Sequence, residues 1–165
     1  FRLHYQLTIF FCGNESRGDD GAGRVVHQNL EYLSNQLKSN KKKARHSPDV
    51  RLIYDQQWQI EDALELSTSK VALFVDSAID LDAPFSMYPV ACPEPMVSGS
   101  HALSPGQLLT VAERLELPLP KSIWLLAIGG SQFELGTSLS HTVERSCDKV
   151  TEALSRIIFS DTVSC

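Results

Sequence analysis

No apolar run in the 165-residue chain approaches the roughly 18 to 20 residues that a membrane-spanning helix needs, so no membrane partner is expected. Positive charge is in deficit, with 15 Lys and Arg against 20 Asp and Glu. Affinity for phosphate backbones comes mainly from clustered Lys and Arg, so this balance argues against a nucleic-acid partner. The one basic cluster, Lys38 with Lys41 to Arg45, lies among Asn40, Ser47 and Pro48 and reads as a solvated loop. Cysteine is sparse: Cys12, Cys92, Cys147 and Cys165 are widely spaced with no CxxC pair. That fits reduced thiols in the cytoplasm better than a zinc ribbon or a disulfide framework. HExxH, GxSxG and local cysteine-protease signatures are also missing, so neither a zincin nor a Ser or Cys nucleophile is nominated. The chain opens Phe1-Arg2-Leu3-His4, without an initiator Met, a long apolar stretch or a small-residue cleavage site, and no export signal is read there.

What is present is the pattern of one globular domain over residues 1–165, with 42% hydrophobic and 21% charged residues. Leu7 to Phe11 is a continuous apolar run suited to a strand buried on both faces. From Ala22 the period becomes helical, with Val26, Leu30, Leu33 and Leu37 in register. Val50 to Tyr54 reads as a second strand, Gln59 to Ser67 as a short helix, and Val71 to Val75 as a third strand ending on Asp76. Residues 85–90 form a weaker strand, assigned to a sheet edge by Pro89. Ser104-Pro105-Gly106-Gln107 combines a capping box with proline at the first helical position. Ile123 to Ile128 is a last strand, and Val143, Cys147, Val150, Leu154, Ile157 and Ile158 mark the buried stripe of a final helix. Strands alternating with helices predict an α/β fold, a three-layer α/β/α sandwich around a largely parallel sheet.

In such a sheet the ligand crevice lies beyond the C-terminal ends of the strands. That rule selects the loop GNESRGDDGAG (residues 13–23) after the first strand, Asp76 after the third, the segment 93–104 with His101 after the fourth, and Gly129 to Gly136 after the fifth. The first loop has the two glycines of a P-loop at Gly13 and Gly18. Asp19 and Asp20 stand where lysine and serine or threonine would follow, and two carboxylates repel a phosphate. Each candidate has a structural alternative: a helix cap for Asp19 or Asp20, a turn for Asp76, an ordinary loop histidine at position 101. Taken together, two carboxylates and an imidazole suit a borderline divalent metal better than copper(I). The residues alone lead to an α/β protein with an acidic, metal-compatible crevice.

Four segments carry more. GNESRGDDGAG at 13–23, FVDSAID at 74–80, SGSHALSPGQLL at 98–109 and FELGTSLSHTVE at 133–144 resemble, in order and spacing, the hydrogenase maturation proteases. These endopeptidases remove a C-terminal extension from the large subunit of [NiFe]-hydrogenases after nickel insertion. The resemblance spans nearly the whole chain and implies a twisted five-stranded sheet between helical layers. It implies that Asp20, Asp76 and His101 contact metal, and that nickel arrives on the precursor's thiolates; no organic cofactor is implied. Asp20 and Asp76 become the candidate catalytic carboxylates, with Gly13, Asn14, Asp19, Gly21 and Gly23 as loop support. Hydrolysis would proceed by water polarised by nickel or deprotonated by a carboxylate, as in an aspartyl endopeptidase. The partner would be the hydrogenase large-subunit precursor. A nickel-delivery chaperone for that precursor and an anion- or nucleotide-binding module are the competing readings.

Overall fold

The computed structural model describes residues 5–39, 49–96 and 102–159. His101, the cluster Lys41 to Arg45 and Cys165 lie outside them. The elements run β1 (Tyr5–Cys12), α1 (Ala22–Ser39), β2 (Val50–Asp55), α2 (Asp62–Leu66), β3 (Ser69–Ile79), β4 (Phe85–Pro89), α3 (Pro105–Arg114), β5 (Ser122–Gly130) and α4 (His141–Phe159). The strand order is β2-β1-β3-β5-β4, parallel except for β4, which runs antiparallel to β5. This is the predicted α/β sandwich with a largely parallel five-stranded sheet, and Pro89 sits on its edge strand as expected.

The two faces of the sheet separate by strand alternation. Ile9, Phe11, Leu73, Val75, Leu126 and Ile128 pack against Val26 and Leu30 of α1 and Val143, Val150 and Leu154 of α4. Phe10, Ala72 and Phe74 face the other way, towards Trp58, Leu66 of α2 and Leu108 and Leu109 of α3. Phe10 stacks on Phe74 with centroids 4.9 Å apart, and Trp58 meets Phe74 edge-on at 5.0 Å. Because β1 and β3 carry apolar residues on both faces, they occupy the centre of the sheet.

Several boundaries differ from the sequence reading. The second helix is shorter than Gln59 to Ser67, beginning at Asp62, and Ile60 and Leu64 are exposed. Ile157 is exposed as well, because Leu154 and Ile158, four apart, already fill the contact row of α4. β3 does not end at Val75: it continues to Ile79, since β5 extends beside it and pairs Asp76 with Ala127 and Ile79 with Gly130. Asp76 is therefore a strand residue, one position past Val75, where pairing with β1 stops.

The antiparallel direction of β4 also corrects the placement of segment 93–104. Pro89 lies level with Trp124, near the start of β5, so this loop begins at the opposite edge of the sheet from the crevice. It returns along α3, where Glu94 N–H donates to the Gly106 carbonyl and Thr110 Oγ1 to the Glu94 carbonyl. Ala102 to Ser104 thus reach the C-terminal rim by a detour.

The chain leaves β1 for β2 on one side and later reaches β3 on the other, so the topological switch point lies between β1 and β3. The first turn of α1 closes tightly on this point. A Cβ on Gly23 would stand 1.9 Å from the Cys12 carbonyl oxygen and 2.9 Å from its carbon, so backbone meets backbone there. Gly23→Ala is expected to cost about 2–3 kcal/mol, despite alanine's better helix propensity, as a lower urea midpoint with unchanged slope.

Candidate functional site

The acidic loop is not an open cradle. Residues Glu15–Gly21 form a 3-10 turn, and Asn14 caps it by accepting from the Ser16 N–H at 3.0 Å. Gly13, with φ +154°, lets the chain fold back so closely that a Cβ would stand 2.3 Å from the Asp20 carbonyl oxygen. Asn14 N–H donates to that same carbonyl at 3.2 Å, and the Tyr54 hydroxyl donates to the Gly13 carbonyl at 3.0 Å. Tyr54 is itself held under the Arg24 guanidinium, 4.2 Å from the ring centroid. Gly21 is buried within the turn.

Asp19 and Asp20, adjacent in sequence, do opposite things. Asp19 is fully buried. Its Oδ2 accepts from the Ser131 N–H at 2.9 Å and the Gln132 N–H at 3.1 Å, and its Oδ1 from the Ser140 N–H at 2.8 Å. Burial opposes the charge, yet the amides of Ser131, Ser140 and Gln132 outweigh it and hold the carboxyl below its ordinary 3.8. Asp19 is therefore more than a cap: it fastens the loop to the segment between β5 and α4. Main-chain bonds reinforce this, from Asp19 N–H to Gln132, Gly18 N–H to Thr137 and Gly136 N–H to Ser16. FELGTSLS thereby acquires its role as the far wall of the loop.

Asp20 points the other way, into a crevice of about 450 Å³ lined also by Asn14, Arg17, Asp76, Ser77 and Phe133. The Ser77 hydroxyl donates to Asp20 Oδ1 at 3.3 Å, while the Ser77 N–H donates to Asp76 Oδ1 at 2.8 Å. One residue thus touches both carboxylates. Burial, only partly offset by that N–H and reinforced by the charge of Asp20, raises the Asp76 carboxyl to about 7. Cys12 also lines the crevice, its thiol donating to the Gln56 carbonyl at 3.4 Å. Burial, then Asp76 and Asp20, push that thiol well above its usual range, so it stays protonated and is no nucleophile.

Two of the three predicted metal-contacting residues, Asp20 and Asp76, therefore share one crevice. The third, His101, lies outside the described residues, but Ala102 immediately after it lines the same crevice. Among the described residues no three His, Cys, Asp or Glu side chains form a metal-holding group. Ser77 and Tyr54 were not singled out in the sequence. The only signal for Ser77 is a hydroxyl beside a strand-end carboxylate, and for Tyr54 a phenol level with Phe11 at the end of the neighbouring strand.

No family model matches the sequence, and no curated protein does. Solved structures do. A [NiFe] hydrogenase maturation protease HycI from Thermococcus kodakarensis superposes with a TM-score of 0.66 at 21% identity, over 93% of this chain and 92% of that one. The hydrogenase maturating endopeptidase HybD from E. coli gives 0.64 at 15% identity, over 92% and 91%. A hydrogenase 2 maturation peptidase from a Thaumarchaeota archaeon gives 0.57 at 16% identity, over 94% and 99%. The chain has the fold of the hydrogenase maturation proteases. Within that maturation-protease fold the loop after β1 and the end of β3 form the crevice, and no described helix is long and apolar enough to cross a membrane.

The Asp19 anchorage is testable. Asp19→Asn replaces one acceptor with an NH₂ group that faces backbone N–H donors, an expected loss of about 2–4 kcal/mol at neutral pH. Because the folded-state affinity of Asp19 for protons is lowered, its stabilisation is present above pH 3.8 and is lost as pH falls through its folded value. Urea titrations across that range should therefore show the variant and the wild type converging in acid.

Proposed function

We propose that this protein is an endopeptidase that removes the C-terminal extension of a [NiFe]-hydrogenase large-subunit precursor carrying nickel. The observation that carries the reading is the pairing of Asp20 and Asp76 in one crevice at the switch point of a maturation-protease fold. Two carboxylates joined by one serine, with one raised by burial and by the other's charge, make a site that gains from a cation. The same pair argues against the anion-binding alternative, since Arg17 is the only cationic side chain among the described residues lining the crevice.

In this mechanism nickel is part of the substrate, held by the precursor's own thiolates. Asp20, Asp76 and His101 recognise the loaded state by completing its surroundings with oxygen and imidazole donors, a set suited to a borderline divalent ion. Docking discharges the repulsion between the carboxylates and releases the proton that Asp76 holds below about pH 7. A water placed between the scissile carbonyl and the crevice then attacks; Asp20 or Asp76 takes its proton through a carboxylate oxygen turned away from the cation and returns it to the amine nitrogen as the C–N bond breaks. Ser77 orients both carboxylates, and Tyr54 and Asn14 fix the loop on which Asp20 sits. The protein would work in the cytoplasm, where the precursor's thiolates remain reduced.

Incubation with nickel-loaded precursor should release the C-terminal peptide, detected by mass spectrometry, and nickel-free precursor should remain intact. Asp20→Ala, Asp76→Ala and His101→Ala are each expected to lower kcat/KM by about 10²-fold or more. Full-rate cleavage by any of them would remove that residue from the assignment.

A pH profile is a separate check. Since the neutral form of Asp76 cannot serve, kcat/KM should rise with pH through about 7, and Asp76→Asn should lose that limb together with most of its activity. A flat profile in the wild type would exclude Asp76 as the titrating group.

A further inference from the structure

The sheet has two edges, and they are finished differently. β2 carries Arg51 and Asp55, with Arg51 paired to Glu65, and each of its six residues is half-buried. β4, with the sequence FSMYP, carries no charge, and Phe85 is 36%, Met87 55% and Tyr88 45% exposed. Natural sheets blunt their edges with charges, bulges or proline, because free N–H and C=O groups template another strand. In β4 only Pro89, at the far end, does so.

Two bonds fix where the backbone groups of β4 point. Gly129 N–H donates to the Pro84 carbonyl, and Val90 N–H to the Ile123 carbonyl. Residues bonded to the neighbour alternate in an antiparallel ladder, so positions 84, 86, 88 and 90 turn to β5, and Phe85, Met87 and Pro89 turn outward. Phe85 and Met87 each present an N–H and a C=O there, whereas Pro89 presents a carbonyl alone. No strand pairs with this edge among the described residues. The side chains of Phe85 and Met87 lie level with Ile128 and Leu126 and share their face of the sheet. That exposed face continues towards the crevice. Ile79, 67% exposed and lining the crevice, lies across β5 on the same face, level with Gly130. Two strand spacings, about 10 Å, separate β3 from β4, a distance that about three extended residues span.

We propose that the outer edge of β4 docks an extended segment of the hydrogenase large-subunit precursor as a sixth strand, with apolar side chains at alternate positions against Phe85 and Met87. The precursor in that statement rests on the protease reading above, which this surface deepens. Main-chain bonds to Phe85 and Met87 supply grip, and the apolar face selects the alternate residues. The size of the edge argues against a second copy of this chain: β4 offers five residues, where a stable interface engages roughly 20–30 a side. A segment of a partner already held at the crevice needs only a short strand, because its local concentration is high.

The test is hydrogen–deuterium exchange of Asp76→Asn, whose low activity preserves the complex, mixed with nickel-loaded precursor and read beside the cleavage assay of the wild type. Residues 84–90 should gain protection at two amides, those of Phe85 and Met87, with exchange slowed at least tenfold. Adding Met87→Pro removes one outward N–H while sparing the bonds to β5; it should leave one protected amide and weaken precursor binding about tenfold. Phe85→Lys, which leaves the backbone unchanged and charges the edge, should weaken binding likewise and serves should the proline disturb β4. Unchanged exchange over 84–90 in a formed complex overturns the docking edge, while cleavage by the wild type would keep the protease reading. Protection of the two amides with no cleavage by the wild type would instead overturn the protease reading and leave the docking edge standing. Protection that grows with the concentration of this chain alone, with a dimer in sedimentation, assigns the edge to a second copy and overturns the precursor as its occupant.

Discussion

The arrangement depends on a carboxylate that never meets solvent. Asp19 sits inside the protein with three backbone N–H groups converging on it from the segment between β5 and α4. It is a charge buried under conditions that make burial tolerable: several short, charge-assisted hydrogen bonds from amides that would otherwise lack partners. Its consequence is geometric. With Asp19 pinned and Gly13 permitting the fold-back, the next residue must emerge on the other side of the loop, so Asp20 is delivered to the crevice.

That delivery matters because the second carboxylate comes from a rigid element. Asp76 is not on a loop but on β3, held in register by β5 after β1 has ended. The gap left by β1 is the crevice, and β5's continuation keeps Asp76 from moving away from the charge of Asp20. A loop carboxylate would relax outward into water and titrate normally. One fixed in a strand and shielded on most sides is driven towards its neutral form. The two carboxylates are therefore set against each other, which under the proposed function is a natural condition for recognising a metal carried by another protein.

Much of this was legible in the chain. Continuous apolar runs bounded by glycine marked β1 and β5, the change of period at Ala22 marked α1, and the capping box at Ser104 marked the start of α3, all because local hydrogen bonding and burial act over a few residues. The strand-end rule then drew Asp20 and Asp76 together from segments more than fifty positions apart. It erred for segment 93–104, because strand direction is a property of pairing and not of composition: nothing in FSMYPV says that β4 lies antiparallel to β5. The end of β3 was set too early for the same reason, since polar Asp76 and Ser77 interrupt the apolar run while their backbone stays in the ladder.

The division is clearest in the pair of aspartates with which the loop ends. By itself the sequence determined that a tight acidic turn follows a buried strand, that this turn opens a helix, and that phosphate is a poor ligand for it; those follow from side-chain charge and local periodicity. Only the tertiary structure decided which carboxylate is anchor and which is site, because that depends on the amides of Ser131, Gln132 and Ser140, more than a hundred residues away, meeting Asp19 and not Asp20. The indole N–H of Trp58, without a partner among the described residues, belongs to the same category. A missing partner is a fact about the space around an atom, and no reading of neighbouring letters reveals it.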